Sequence, residues 1–443
     1  MADRDTGSRL IAIVVAGQII VTAAILGILF WTSRPDAAGP AEELLSPDSY
    51  FRSTAPPSEP TFRANTGRTG FYDSRAIREI GEVDTRLSAM SVSTAPVMAD
   101  GIMYLCRGGN NLTAIEMLTG RELWQHKLLE WQASVPAVAG NTIYFGGESF
   151  FALDAKTGAE KWRFDAVSQG ERGFVNAPVV VSDAVYVTLK GSLYALDALT
   201  GAKRWEYTID GYGIETTAPA YSNGTLFFGA GSNNNGSGTQ AIHAIDPATG
   251  REKWRYDLTG VVSSPPVAAD GVVYFAATEA SRTGGGDPRY PSQLKITSSL
   301  RALDALTGGE LWLSETDRSI LFPPAVAGGL LFFGDSQDLV HGQDSWGTLH
   351  ALDAGTGKEV WKIDSIDTVS APSIAEDWLY VSAAIPDPTA SGVTGELGAL
   401  LAIDARTGQQ KWQYVFKQRY EIPAPIFYQD VMYVVPGGLL AFH

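Results

Sequence analysis

Seven times along this 443-residue chain one frame returns: alanine, an apolar residue, aspartate, two variable residues, Thr-Gly, three variable residues and tryptophan. A full copy reads Ala152-Leu153-Asp154-Ala155-Lys156-Thr157-Gly158-Ala159-Glu160-Lys161-Trp162, and the frames end at Trp124, Trp162, Trp205, Trp254, Trp312, Trp361 and Trp412. Six copies match in full; in the first, Glu116 stands in the aspartate position. A repeat of this kind constrains the fold more than any local preference. Each unit is one supersecondary element that cannot bury its faces alone and must stack on its neighbours.

Ahead of each frame lies a second pattern. In the third unit it runs Ala177-Pro178-Val179-Val180-Val181, a Ser182-Asp183 turn, Val185-Tyr186-Val187, then Leu193-Tyr194-Ala195-Leu196-Asp197. Short β-branched and apolar runs broken by turn residues predict consecutive antiparallel strands. Each unit supplies four: A (the Ala-Pro-Val run), B (the Val-Tyr-Val run), C (the Ala-Leu-Asp run) and D (the run ending in tryptophan). Thr-Gly is the C–D hairpin, where glycine takes positive φ at little cost and the aspartate can accept backbone N–H groups. The tryptophan offers a large apolar face to a neighbouring unit and an N–H that needs an acceptor. Four-stranded sheets that stack face to face and close radially make a β-propeller.

On these motifs the chain resembles the quinoprotein-like propellers with their tryptophan-docking repeats, over roughly residues 60–443. The strand-C signature occurs an eighth time, in Leu439-Leu440-Ala441-Phe442-His443, with no strand D after it. The expectation is therefore an all-β, eight-bladed propeller of four-stranded antiparallel blades over 62–443. The last blade runs A near 422–426 and B over 431–435, and is closed by an N-terminal strand near 76–85. That strand shortly precedes the first strand A at 93–98.

Upstream, Leu10 to Trp31 is a 22-residue run without charge, long enough at ~1.5 Å per residue to cross a bilayer as a helix. Residues 1–9 then form a cytoplasmic N-terminus, 10–31 a transmembrane signal-anchor and 32–61, rich in Pro, Ala, Ser and Glu, a flexible linker. A cleaved signal peptide competes: Ala37-Ala38-Gly39 offers small residues, but Pro40 follows at once. No cysteine lies near the end of the run, which excludes lipoprotein processing. Arg4 and Arg9 before the run, against Arg34 after it, place the propeller on the extracytoplasmic side of a bacterial cytoplasmic membrane. The segment Phe62-Arg63-Ala64-Asn65-Thr66-Gly67-Arg68-Thr69-Gly70 resembles the entry segment ahead of the first blade in bacterial relatives. A formal net charge of −16 argues against nucleic acid and anionic lipid surfaces as partners. The one cysteine, Cys106, allows no intramolecular disulfide and reads as a small core residue.

Strand order puts A–B and C–D turns on one face (the turn face) and B–C and D–A connections on the other. The interval between tryptophans grows from 38 residues (Trp124 to Trp162) to 58 (Trp254 to Trp312). The extra residues fall in the B–C connections of blades four to seven: 231–240, 278–299, 335–348 and 385–398. Long loops in a compact repeat fold are uncommon and often functional, so protein partners are expected there, at Arg282, Arg289, Tyr290, His341 and Trp346. The Asp335, Asp338, His341 and Asp344 group lacks a metal-loop spacing. Charges in the D–A connections mark the channel mouth: Arg172, Glu215, Arg318, Arg419 and Glu421.

The resemblance implies two functions. Its catalytic members use a quinone cofactor, are longer and typically carry adjacent cysteines joined in a disulfide on the cofactor. This sequence cannot form that pair and shows no nucleophile or nucleotide motif in a recognisable context. The closer resemblance is to non-catalytic eight-bladed members such as the scaffold lipoprotein of the outer-membrane β-barrel assembly machinery, with a transmembrane helix replacing the lipidated cysteine. The expectation is a membrane-anchored interaction scaffold, with no catalytic residues, cofactor or metal. The alternative is a quinoprotein-like dehydrogenase, or a small-molecule or carbohydrate binder, working at the channel mouth.

Overall fold

Eight sheets, each built on four antiparallel blade strands, follow one another around a ring. The computed structural model describes residues 63–65, 67–81, 83–84, 95–107, 111–128, 134–147, 149–165, 176–189, 191–209, 214–232, 240–283, 293–336, 347–364, 366–368, 370–386, 396–416, 424–435 and 439–443. The expected anchor and linker lie outside them. Among the described residues no helix is long and apolar enough to cross a membrane.

Blade three shows the unit at its plainest: Val179–Val181, Ala184–Leu189, Ser192–Asp197 and Lys203–Thr208 pair in order. The two middle strands are buried on both faces, because each face meets a neighbouring blade. The outer strand alternates, with its charged residues turned to solvent. The C–D ladder shifts register between Ala195 and Leu196, where an extra residue enters strand D just before Trp205. Six further blades carry this bulge at the equivalent place. A bulge there re-aims the next side chain, which is the tryptophan.

The motif explains itself in contact with the next blade. Trp162 Nε1 donates to the Ala198 carbonyl at 3.0 Å, and Tyr144 of the same blade sends its hydroxyl to that oxygen at 3.1 Å. Gly201, at φ 72°, lies on the Trp162 ring so closely that a Cβ would sit 2.6 Å from it. The turn glycine thus meets two demands, a left-handed backbone and room for an indole. Asp197 Oδ1 holds the turn, accepting from Leu199 N, Thr200 N and the Thr200 hydroxyl. In blade one the longer Glu116 instead takes the Thr119 hydroxyl and pairs with Arg121 at 3.6 Å.

Blade eight comprises Ile426–Tyr428, Val431–Val434, Leu440–Phe442 and, as its outer strand, Val83–Asp84, which pairs antiparallel with Leu440–Phe442. Its strand A starts later than the 422–426 expected, after Pro425, and blade one's strand A is Val97–Ala99 rather than 93–98.

The B–C connections differ from expectation in kind. In blade five, 278–299 is mostly ladder: Val272–Thr283 pairs with Gln293–Asp304 residue for residue. In blade seven Trp378–Pro386 pairs with Glu396–Asp404, so 385–398 also begins and ends in strand. β-branched and alternating residues continue the pairing outward. The strand pair of blade five is twelve residues long against six in blade three, so its ribbon extends ~20 Å beyond the usual blade end at ~3.3 Å per residue. Short strands Ile214–Thr216, Val261–Val262 and Asp367–Thr368 add to strand B in blades four, five and seven and widen the same side.

Candidate functional site

The inner strand of every blade begins after a proline: Pro96, Pro136, Pro178, Pro219, Pro266, Pro324, Pro372 and Pro425. Strand A is the inner edge of its sheet, facing the ring axis. Proline on an edge strand removes a donor that would lack a partner and leaves carbonyl acceptors. The axis is therefore rimmed with carbonyl oxygens, and the entry segment supplies their donors.

Arg63 sends Nη1 to the Pro323 carbonyl at 2.7 Å and Nη2 to those of Pro324 and Pro372 at 2.8 and 3.2 Å. Arg68 sends Nε to Pro219 O at 2.6 Å and Nη2 to Ala177 O at 2.8 Å. Between them the backbone is stitched to the ring: Ala268 N donates to Gly67 O, Val326 N to Thr69 O and Ile374 N to Gly70 O, each at 2.8 Å. Asn65 and Thr69 brace the loop, Nδ2 to Oγ1 at 2.7 Å. Phe71–Tyr72 then runs parallel to the inner strand of blade seven. One segment of about ten residues thus touches the inner strands of blades three to seven.

The cost of this hub is visible. Arg63, Ala64 and Arg68 all hold positive φ, a region that L-residues occupy under strain. The two arginines are 5% and 1% exposed. Burial pulls Arg63 down to about 10; burial, and then the neighbouring Arg63 charge, pull Arg68 down to about 9. Both remain cations at neutral pH, held by the negative ends of carbonyl dipoles. Chemically the hub is a lock: the Nη groups of Arg63 and the Nε and Nη2 of Arg68 are taken up by the ring's own oxygens, while Arg63 Nε is buried without a partner among the described residues.

Of the channel-mouth set, Arg172, Arg419 and Glu421 lie outside the described residues. Glu215 lies in Ile214–Thr216, its backbone opposite Gly231. Arg318 has a described side chain, and it bonds Thr348 Oγ1 at 2.9 Å and Asp335 Oδ1 at 3.5 Å. Of the partner set, Arg289, Tyr290, His341 and Trp346 lie outside the described residues, and Arg282 is placed on the blade-five ribbon opposite Leu294.

Asp335 corrects an expectation. It is not a loop carboxylate but the last residue of strand B in blade six, 2% exposed. It accepts from Thr348 N and Thr316 Oγ1, both at 2.9 Å, and contacts His350 Nε2 at 3.2 Å. Burial alone would raise its carboxyl; the His350 bond and charge, the Thr316 hydroxyl and Arg318 outweigh burial and hold it below the ordinary value. A depressed carboxyl adds stability above its unfolded pKa of ~3.9, and that stability is lost as pH falls through the lower folded value. Asp335→Asn is expected to cost about 2 kcal/mol at pH 7, with the gap from the parent narrowing at pH 3, both read from urea midpoints. Among the described residues no group of His, Cys, Asp and Glu could hold a metal ion.

The entry-segment arginines were the residues that sequence reasoning passed over. The available signal was the eightfold proline: eight inward carbonyls call for donors, and FRANTGRTG carries two forks.

A family model described as outer membrane protein assembly factor BamB matches residues 72–234, 213–284 and 297–442. The quinoprotein alcohol dehydrogenase PedE of Pseudomonas putida is 43% identical over 72 residues, 15% of this chain and 11% of that protein. The quinoprotein ethanol dehydrogenase of Pseudomonas aeruginosa is 40% identical over 73 residues, 16% of this chain and 11% of that protein. The chain thus matches only about a tenth of the length of these curated relatives. Similar solved structures include BamB from Moraxella catarrhalis, with TM-score 0.58 and 18% identity, over 82% of this chain and 97% of that one. Quinohemoprotein alcohol dehydrogenase from Comamonas testosteroni has TM-score 0.62 and 15% identity, over 87% and 80%. At these identities the likeness is one of fold.

Proposed function

Because the chain belongs to the family of the outer membrane protein assembly factor BamB, we propose that it is a non-catalytic scaffold for protein partners, tethered by residues 10–31 to the extracytoplasmic side of a membrane. Fold alone does not decide between the activities that propellers host. The observation that carries this reading is the blade-five ribbon, Val272–Thr283 paired with Gln293–Asp304, with the nine-residue strand pair of blade seven. They extend one side of one face while the axis is packed with the chain's own arginines. Edge-rich ribbons of this kind offer main-chain and side-chain contacts to a partner.

The experiment is site-specific photo-crosslinking in the native membrane, with the crosslinker at Arg282 and at Trp346. Leu199, exposed on the turn face, is the control. One discrete adduct from both of those positions and none from Leu199 is expected. No discrete adduct at either position sinks the reading.

The second reading, a quinoprotein-like dehydrogenase or small-molecule or carbohydrate binder, is favoured by the local 43% identity to PedE. The described axis does not fit a cofactor, since Arg63 and Arg68 are buried against backbone oxygens. A cofactor would have to be held elsewhere than at these two arginines. A thermal shift on adding pyrroloquinoline quinone with Ca²⁺, or a glycan panel, would put this reading first.

A further inference from the structure

Two residues past each junction tryptophan, strand D carries a side chain into the seam with the following blade. In five of the seven frames that residue is an aromatic ring: His126, Phe164, Tyr207, Tyr256 and Tyr414. Blade six has Ile363 there, and blade five has Ser314. The register is shared: Tyr207 lies opposite Leu193, Tyr256 opposite Ile242 and Ser314 opposite Leu300.

The neighbouring seams show what this position holds. Tyr207 stands edge-on to Phe228 and His243 of blade four, with ring centroids 6.2 and 5.7 Å away, and those two rings stack on each other at 5.2 Å. Its hydroxyl donates to Glu252 and lies 3.2 Å from His243 Nδ1; Glu252 Oε2 is 2.8 Å from that nitrogen. At the next seam Tyr256 stands edge-on to Phe275, donates to Glu310 and accepts from Arg301 Nη1 at 3.0 Å. Each phenol is gripped by an aromatic face, a side-chain nitrogen and a carboxylate.

Between blades five and six the same grip meets a serine. Phe333 and His350 stack at 4.7 Å, 9° from parallel. Glu359 Oε2 stands 3.3 Å from His350 Nδ1, and Asp335 holds Nε2 at 3.2 Å. His350 precedes Ala351 as His243 precedes Ala244, and Glu359 comes two residues before Trp361 as Glu252 does before Trp254. Where Tyr207 and Tyr256 extend into rings, Ser314 ends at its hydroxyl. Beyond it lies a cavity of about 120 Å³, lined by Ser314, Ile320, Phe333, His350, Leu352 and Glu359 among others. Glu315 and Glu359, both exposed, mark its opening. The chain on either side of each of these residues is described.

We infer that the seam between blades five and six binds a small phenol that is unsubstituted para to its hydroxyl. The ring lies against Phe333 and His350, and the hydroxyl donates to Glu359 beside His350 Nδ1, as the Tyr207 hydroxyl does to Glu252. A closed cavity of ~150 Å³ suffices for benzene, so this smaller, open one takes a single six-membered ring. The para position separates a free phenol from a protein tyrosine. Tyr207 enters its seam from strand D, and its Cβ lies where Ser314 already has one. A tyrosine brought by a partner would set its own Cβ against Ser314. The inference does not depend on the scaffold reading.

The test uses the full-length protein in detergent and ¹⁹F NMR of meta-fluorophenol, displaced by phenol, benzene or p-cresol. Phenol is expected to compete about tenfold better than benzene, since only phenol bonds the carboxylate. It is expected to compete about fivefold better than p-cresol, whose methyl group overpacks the seat. Glu359→Ala removes the acceptor at an exposed position and is expected to weaken phenol about tenfold while leaving benzene unchanged, a split that loosened packing would not give. Ser314→Tyr supplies the ring from the chain itself; probe binding is expected to fall about tenfold or more and the unfolding temperature to rise. Glu359→Ala decides the matter if Ser314→Tyr does not fold. No saturable probe signal, equal competition by phenol and benzene, or undiminished binding to Glu359→Ala or to a folded Ser314→Tyr overturns the inference. Competition by p-cresol equal to that by phenol would admit a partner's tyrosine and overturn the small-molecule ligand.

Discussion

Arg68→Ala is expected to lower the stability of the ring by about 3–5 kcal/mol, read as a fall in the urea midpoint. The guanidinium bridges the Pro219 carbonyl of blade four and the Ala177 carbonyl of blade three. Its loss strands both oxygens, at about 1–3 kcal/mol each, and leaves a void in place of a side chain 1% exposed. Arg68→Lys keeps the charge but has one ammonium where a planar fork spans two blades, so it is expected to recover less than half of the loss. Recovery to parental stability by lysine would show that charge, and not the fork, secures the hub.

The second large effect is at the closing seam. Trp412 donates from Nε1 to the Ile77 carbonyl at 2.9 Å, and Tyr380 donates to the same oxygen at 3.1 Å. Ile77 thus replaces the turn residue that blade eight lacks. Around it Tyr72, Trp378, Phe427 and Phe442 complete one buried cluster, and Arg78 pairs with Glu376 at 2.9 Å while its guanidinium carbon lies 5.7 Å from the Trp378 ring. Trp412→Ala is expected to cost about 3–5 kcal/mol. Unlike the equivalent change at an interior junction such as Trp162→Ala, it should loosen the only covalently open joint of the ring. Limited proteolysis between residues 72 and 95 is the measure. Cleavage there should rise at least about tenfold in Trp412→Ala and stay near parental in Trp162→Ala, because a segment opens locally when the packing that holds it is weakened. Equal cleavage in both would mean that the seam opens only with global unfolding.

The architecture was legible because each blade repeats its physics in its letters: an aspartate to hold a turn, a glycine for positive φ, a tryptophan to seal a junction. The blade count followed from the eighth strand C, and the strand that pairs with it, Val83–Asp84, lies within the stretch that lacked any other role. Side-chain destinations were less legible. Thr278 to Ser299 looked like loop because it departs from the repeat length, although its alternating residues favour a ladder. Asp335 looked like a loop carboxylate because its neighbours 336–347 depart from the frame; its burial depends on His350 and Thr316, which no local pattern links to it. Arg63 and Arg68 act through backbone oxygens over a hundred residues away. Backbone acceptors have no sequence identity, and their only trace was the recurrent proline.

The hub and the seam also impose an order in time. Arg63 reaches Pro323 across 260 residues, and Ile77 meets Trp412 across 335. The first part of the propeller to leave a ribosome or a translocon is therefore the last to find its partners. Until blades six to eight exist, Arg63 lacks its acceptors and Val83–Asp84 has no blade to complete. Contacts so distant in sequence slow folding and prolong the exposure of strand edges. Refolding followed at Trp412 should accordingly lag behind refolding followed at Trp162, and protection of residues 63–84 from hydrogen exchange should arrive with the slower phase.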